Sequence, residues 1–198
     1  QGEKETVQKA VHTSALGSIL SIGLPAGIQS AVFAAANIVI QSAINSLGTV
    51  VMAASSAAFN IEVMTYYILN SFTQACTTFV GQNFGAGQLK RCKKTLFLCL
   101  FEGAIALGCG IAAILFFGRS LVALFNSDPE VVANGYLRLL YIMPAHVFSL
   151  FYEVMSGYLR GFGISLAPAV LTTLGVCGVR ITWVQFVFPQ SPTLATLM

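Results

Sequence analysis

Long apolar runs alternate with short polar breaks along the whole chain. The runs cover residues 17–46, 50–79, 88–117, 130–160 and 166–188. Each exceeds the ~20 residues that a helix rising 1.5 Å per residue needs to cross ~30 Å of hydrocarbon. The pattern predicts an all-α fold, a polytopic transmembrane helical bundle of about five spans, with the start of a sixth at Pro189–Met198. Residues 1–16 carry Glu3, Lys4, Glu5 and Lys9 and read as a polar connecting segment. The chain opens at Gln1 and stops as an apolar run begins, so we expect it to be part of something longer. Ser127-Asp128-Pro129-Glu130 is a helix start, with Ser127 expected as the N-cap.

The break at FVGQNFGAGQLKRCKK, Phe79 to Lys94, is the strongly charged one. Lys90, Arg91, Lys93 and Lys94 supply four of the ten Lys and Arg residues. Gly81, Gly85 and Gly87 before them are expected to break the helical pattern. Such clusters stay on the cytoplasmic side, which fixes the orientation of the other spans. Arg160 falls at an inner turn on this reading, and the Arg119–Val131 connection lies outside.

Composition narrows the class further. The chain is 56% hydrophobic and 9% charged, against about 25% charged in soluble domains, so charge cannot cover its surface. The net charge of +3 comes mostly from the hinge and speaks to topology and anionic head groups, not to nucleic acid. Cys76, Cys92, Cys99, Cys109 and Cys177 show no metal-ligand spacing and read as reduced, small apolar residues.

Ionisable residues at membrane depth are the functional candidates, since each charge there costs about 2.5–3.5 kcal/mol on insertion scales. They are Glu62, Glu102, His146, Glu153 and Arg180. His146, Ser149 and Glu153 are spaced three and four apart and share one helix face. Glu153 lies ~10 Å inside the boundary marked by Arg160. It reads either as a protonatable group that couples an ion to conformational change, or as the structural partner of Arg180. His146, near Pro144, reads as an interhelical hydrogen bond or a pathway residue. In the first span Ser30, Asn37, Gln41 and Asn45 form a polar stripe with Gln29 beside it. That stripe either lines a wet path or joins helices. No HExxH, GxSxG or phosphate-loop pattern is present, so we expect neither an enzyme nor a metal centre.

GLPAGIQ (Gly23 to Gln29), VGQNFGAG (Val80 to Gly87), LRGFG with Pro168, and VCGVRITW (Val176 to Trp183) together resemble the multidrug and toxic compound extrusion (MATE) family. The resemblance covers essentially the whole chain and implies its C-terminal lobe, helices seven to eleven and the start of twelve, over residues 17–198. It further implies a missing N-terminal lobe, a central cavity and alternating access. Secondary active efflux of organic cations or drugs would follow, in exchange for sodium or protons, with no other cofactor, in the bacterial inner membrane. Some members carry acids in the seventh and tenth helices where this chain has Phe33 and Ser149, and Glu153, one turn from Ser149, would substitute. The alternatives are a truncated, non-transporting membrane protein and a related flippase for lipid-linked sugars. The orientation gives a direct expectation: a cysteine replacing Gln88 labels with a membrane-impermeant thiol reagent only from the cytoplasmic side, and labelling in intact cells would reverse the topology.

Overall fold

In lipid no water is available to backbone amides, so each apolar run must close its own hydrogen bonds as a helix. The computed structural model, which describes residues 13–194, is all-α accordingly. Four long helices come first: α1 (Thr13–Ser46), α2 (Thr49–Gly85), α3 (Leu89–Ala123) and α4 (Pro129–Gly161). The last stretch is interrupted. It runs as α5 (Leu166–Thr172), a π-helical turn (Thr173–Gly178) and α6 (Val179–Phe186), followed by a 3₁₀ turn at Phe188–Gln190. The connecting segment expected at 1–16 falls mostly outside the described residues, as do the last four residues of the sixth span expected at 189–198, whose start holds the end of the 3₁₀ turn.

Four stretches among the described residues are long and apolar enough to cross a membrane: Ile19–Ser46, Leu89–Ala123, Pro129–Gly161 and Leu166–Gln190. The helix α2 has the length, at 37 residues, but carries Asn60, Glu62, Asn70, Gln74 and Asn83. Its position explains that composition. It packs along both α3 and α4, and these three helices hold the two apolar clusters. One cluster gathers Leu69, Cys76, Val80, Cys99, Leu107 and Leu150. The other gathers Ala58, Ile61, Ile114, Leu139 and Met143. Polar side chains of α2 return to their own backbone, as Asn60 does to the Ser56 carbonyl and Asn83 to that of Phe79. Outside the bundle the surface is apolar, with Phe116, Phe148 and Leu171 largely exposed.

The hinge is shorter than the glycine pattern suggests. Gly81 and Gly85 lie inside α2, and the break is confined to Ala86, Gly87 and Gln88. Only Gly87 takes the left-handed conformation that favours glycine, at φ 71°. The Gly87 and Gln88 amides cap the preceding helix through the Phe84 and Asn83 carbonyls. The N-cap of α4 is Asp128 rather than Ser127: its Oδ1 accepts from the Glu130 amide at 2.9 Å, with Pro129 in the first helical turn.

Glycines on α4 set its approach to α2. A Cβ at Gly157 would lie 2.7 Å from the Thr73 carbonyl oxygen, and one at Gly161 2.7 Å from the Val80 Cβ. At the far end, a Gly135 Cβ would lie 2.8 Å from Val122 Cγ1 and 3.3 Å from the Ala54 carbonyl. Small residues let helix backbones meet in lipid, where apolar association gains little from water. The proximity places the Thr77 hydroxyl within bonding distance of the Gly157 carbonyl, at 3.0 Å. Gly157→Ala should therefore destabilise the bundle by roughly 1–3 kcal/mol through overpacking. Gly108→Ala, whose Cβ meets nothing within 4 Å, should leave thermal stability in detergent unchanged. Equal melting temperatures for the two variants would contradict the seam.

Candidate functional site

Three junctions of polar groups join helices far apart in sequence. The first lies between α2 and α4. Arg138 clamps Glu62 with two bonds, Nε to Oε1 at 2.8 Å and Nη2 to Oε2 at 3.2 Å, and both side chains are about 11% exposed. Bidentate pairing suits the planar guanidinium and answers the cost of two charges in a low-dielectric site. Above it, the buried Thr65 hydroxyl meets the Met143 sulfur.

The second junction joins α1, α4 and α5. Gln29 is buried and uses both ends of its amide. Its oxygen accepts from Arg160 Nη2 at 2.9 Å, and its nitrogen donates to the Thr172 hydroxyl. The Thr172 hydroxyl in turn donates to the Pro168 carbonyl at 2.7 Å, the acceptor of the preceding turn. The Ser165 hydroxyl adds a bond to the Ser21 carbonyl at 3.0 Å. Arg160 is thus in the last turn of α4 and joins helices, rather than standing free in an inner turn.

The third junction is the Arg180 Nη1 bond to Asn37 Oδ1, at 3.4 Å, between α6 and α1. Arg180 is not the partner of Glu153. Its electrostatic neighbours include Tyr152, Arg138 and Glu62, whereas those of Glu153 are Arg160 and Tyr152. The structural pairing expected between Glu153 and Arg180 is therefore replaced by the Asn37 bond.

The α4 face carries the remaining candidates. Glu153 is half-buried, with Tyr152 beside it as an electrostatic neighbour and Ser149 one turn earlier on the helix. Among the described residues Glu153 is in no ion pair. The Ser149 hydroxyl also leans on the Ala145 carbonyl at 3.4 Å. His146 Nδ1 meets the Ile142 carbonyl of its own helix at 3.0 Å, so its bond is within α4 and not between helices. In the stripe on α1, Gln29 and Asn37 turn to partners, while Gln41 donates to Asn45 at 3.0 Å and Ser30 to the Ala26 carbonyl. Gln41 and Asn45 are exposed. Glu102 is exposed on α3 and is in no ion pair among the described residues. The sequence reading passed over Arg138, although its apolar surroundings, LRLLYIMP, marked it as a charge at membrane depth.

An all-α, multi-pass membrane protein with charges paired inside the bundle is the class that this architecture defines. Residues 25–184 match the model of the MatE family, and the chain belongs to that family. It is 26% identical over 166 residues to the probable multidrug resistance protein NorM of Chromobacterium violaceum, covering 83% of this chain and 36% of that protein. It is 30% identical over 156 residues to the probable multidrug resistance protein YpnP of Bacillus subtilis, covering 79% and 35%. An FAD transporter of Shewanella oneidensis is 28% identical over 111 residues, covering 56% and 25%. Among solved structures, a MOP superfamily transporter from Pyrococcus furiosus shares the fold with a TM-score of 0.81 at 17% identity, over 91% of this chain and 42% of that one. The chain spans about a third of the length of the curated relatives NorM and YpnP.

Without the Glu62 carboxylate, Arg138 would be a buried, uncompensated guanidinium. Glu62→Gln should cost about 3–5 kcal/mol, and Glu62→Leu with Arg138→Met should recover most of it, because a buried pair and an apolar replacement are often near parity. Unfolding in detergent measures both. A double variant no more stable than the single one would show that the pair does more than offset its own burial.

Proposed function

We propose that this chain forms one lobe of a two-lobe efflux transporter of the bacterial inner membrane. The lobe exchanges small organic cations or drugs for protons or sodium by alternating access. The observation that carries this reading is Glu153. In a MatE-family chain whose other described acid on α2 or α4 within the bundle, Glu62, is clamped by Arg138, Glu153 is the half-buried carboxyl that no ion pair occupies. A carboxyl in that position can take up a cation or a proton in one conformation and release it in another. Tyr152 and Ser149 supply hydroxyls beside it. Since Phe33 and Ser149 bring no further carboxylate, a single anionic group favours the proton over a multidentate sodium site. The polar residues Asn37 and Gln41 on α1 are proposed to line the substrate path together with His146, and Glu102 is the weaker member of the set.

The test uses a protein that carries both lobes. Glu153→Gln keeps shape and removes the titratable charge, so it should leave melting temperature and expression unchanged. Proton-driven dye efflux should fall about tenfold or more, equivalent to ~1.4 kcal/mol on the rate-limiting barrier. Normal efflux by a stable variant removes Glu153 from coupling. Efflux that follows an imposed sodium gradient and ignores pH would assign sodium instead. A single lobe has no facing surface to enclose a cavity, so the 198-residue chain alone should give no efflux unless two copies assemble.

A further inference from the structure

Four cations at the start of α3 stand in a register that the transport reading does not use. Lys90, Arg91, Lys93 and Lys94 are all exposed, while Cys92 between them is buried. No acidic residue lies in the first turn of α3, and none of the four is in an ion pair among the described residues. A positive cluster at the positive end of a helix is self-opposed unless an anion joins it.

The helix period shows what lies beneath these charges. Lys90, Lys94, Phe97, Phe101 and Ile105 follow steps of three and four and share one face. Phe97, Phe101 and Ile105 are exposed at 69%, 67% and 53%. The opposite face, Cys92, Cys99, Gly103 and Leu107, is buried against the bundle. The cations therefore continue an apolar stripe that faces outward. From Lys94 to Ile105 the stripe is ~17 Å long, close to the ~15 Å of one leaflet's hydrocarbon. A soluble phosphate or a nucleic acid would use the charges but has no counterpart for the aromatic stripe below them.

We propose that this face of α3 is a binding site for an anionic phospholipid of the adjoining leaflet, its phosphate held by Lys90, Arg91, Lys93 and Lys94 and its acyl chains lying along Phe97, Phe101 and Ile105. The site is independent of the coupling assigned to Glu153 and of the substrate.

The experiment takes the 198-residue chain in detergent micelles and counts retained lipids by native mass spectrometry. Phosphatidylglycerol and phosphatidylcholine with identical chains compete at equal concentration. Each basic residue near an anionic surface contributes roughly fivefold in affinity, so the wild type should prefer phosphatidylglycerol by about tenfold or more, with the preference shrinking as salt screens it. Lys90→Gln, Arg91→Gln, Lys93→Gln and Lys94→Gln combined should abolish the preference, and Phe97→Ser with Phe101→Ser should weaken retention of both lipids. A wild type with no preference, or one indifferent to salt, overturns the proposal whatever the variants do. Retained preference in the quadruple variant also overturns it. Displacement of phosphatidylglycerol by millimolar glycerol phosphate would make the site one for a free phosphate rather than a lipid.

Discussion

The close approach of α2 and α4 is the constraint on which the other contacts rest. Gly157 and Gly161 bring α4 onto the backbone of α2 at Thr73 and Thr77, and Gly135 brings it close to Ala54 of α2 and the Val122 side chain of α3. Only at that separation can Arg138 reach Glu62 with both nitrogens and Thr77 reach the Gly157 carbonyl. The order of dependence runs from small residues to polar bonds. Contact between backbones comes first, because dispersion and short hydrogen bonds are what hold helices together in lipid. The helix α3 then packs over the pair, with Gly118 admitting the Tyr136 ring and Arg119 lying 5.3 Å from that ring's centre.

The second association, between α1 and α5–α6, is built differently. Its buried side chains include Gln29, Ser165 and Thr172, and its bonds recur along two helices that run the same way. Gln29 meets Thr172, and eight residues on in each helix Asn37 meets Arg180. A seam made of such bonds is worth less per contact than a packed apolar core, at about 0.6 kcal/mol each in comparable membrane helices. It is correspondingly easier to shift. The chain thus holds two kinds of seam, one packed through glycines and one built from side-chain hydrogen bonds.

Much of the helical organisation was legible from length and hydropathy alone, because runs such as 130–160 have no other solution in lipid. Helix ends were less so. Gly81 and Gly85 suggested a long loop, yet backbone bonding carries α2 through Gly81 to its last residue, Gly85, and Gly87 alone makes the turn. The polar partners were the least legible. Glu62 and Arg138 are 76 residues apart and Gln29 and Arg160 are 131 apart, and the periodicity of one helix says nothing of its neighbour. Spacing did place His146, Ser149 and Glu153 on one face. It could not show that His146 would turn to Ile142, or that Arg180 would choose Asn37 over Glu153.

The π-helical turn at Thr173–Gly178 bears on how this segment can change length. A π turn accommodates more residues per turn than an α-helix, so it alters the angle at which everything after it leaves. Each residue of an α-helix turns the chain by about 100°. The wide turn rotates the chain less per residue, so its six residues turn it about as far as five residues of α-helix, roughly 500°. Loss of one residue there would let the turn relax to α-helix with α6 close to its present orientation and Arg180 still facing Asn37. The same loss from an α-helical stretch would rotate everything after it by about 100°. The π turn is thus the place where this span absorbs a change of length.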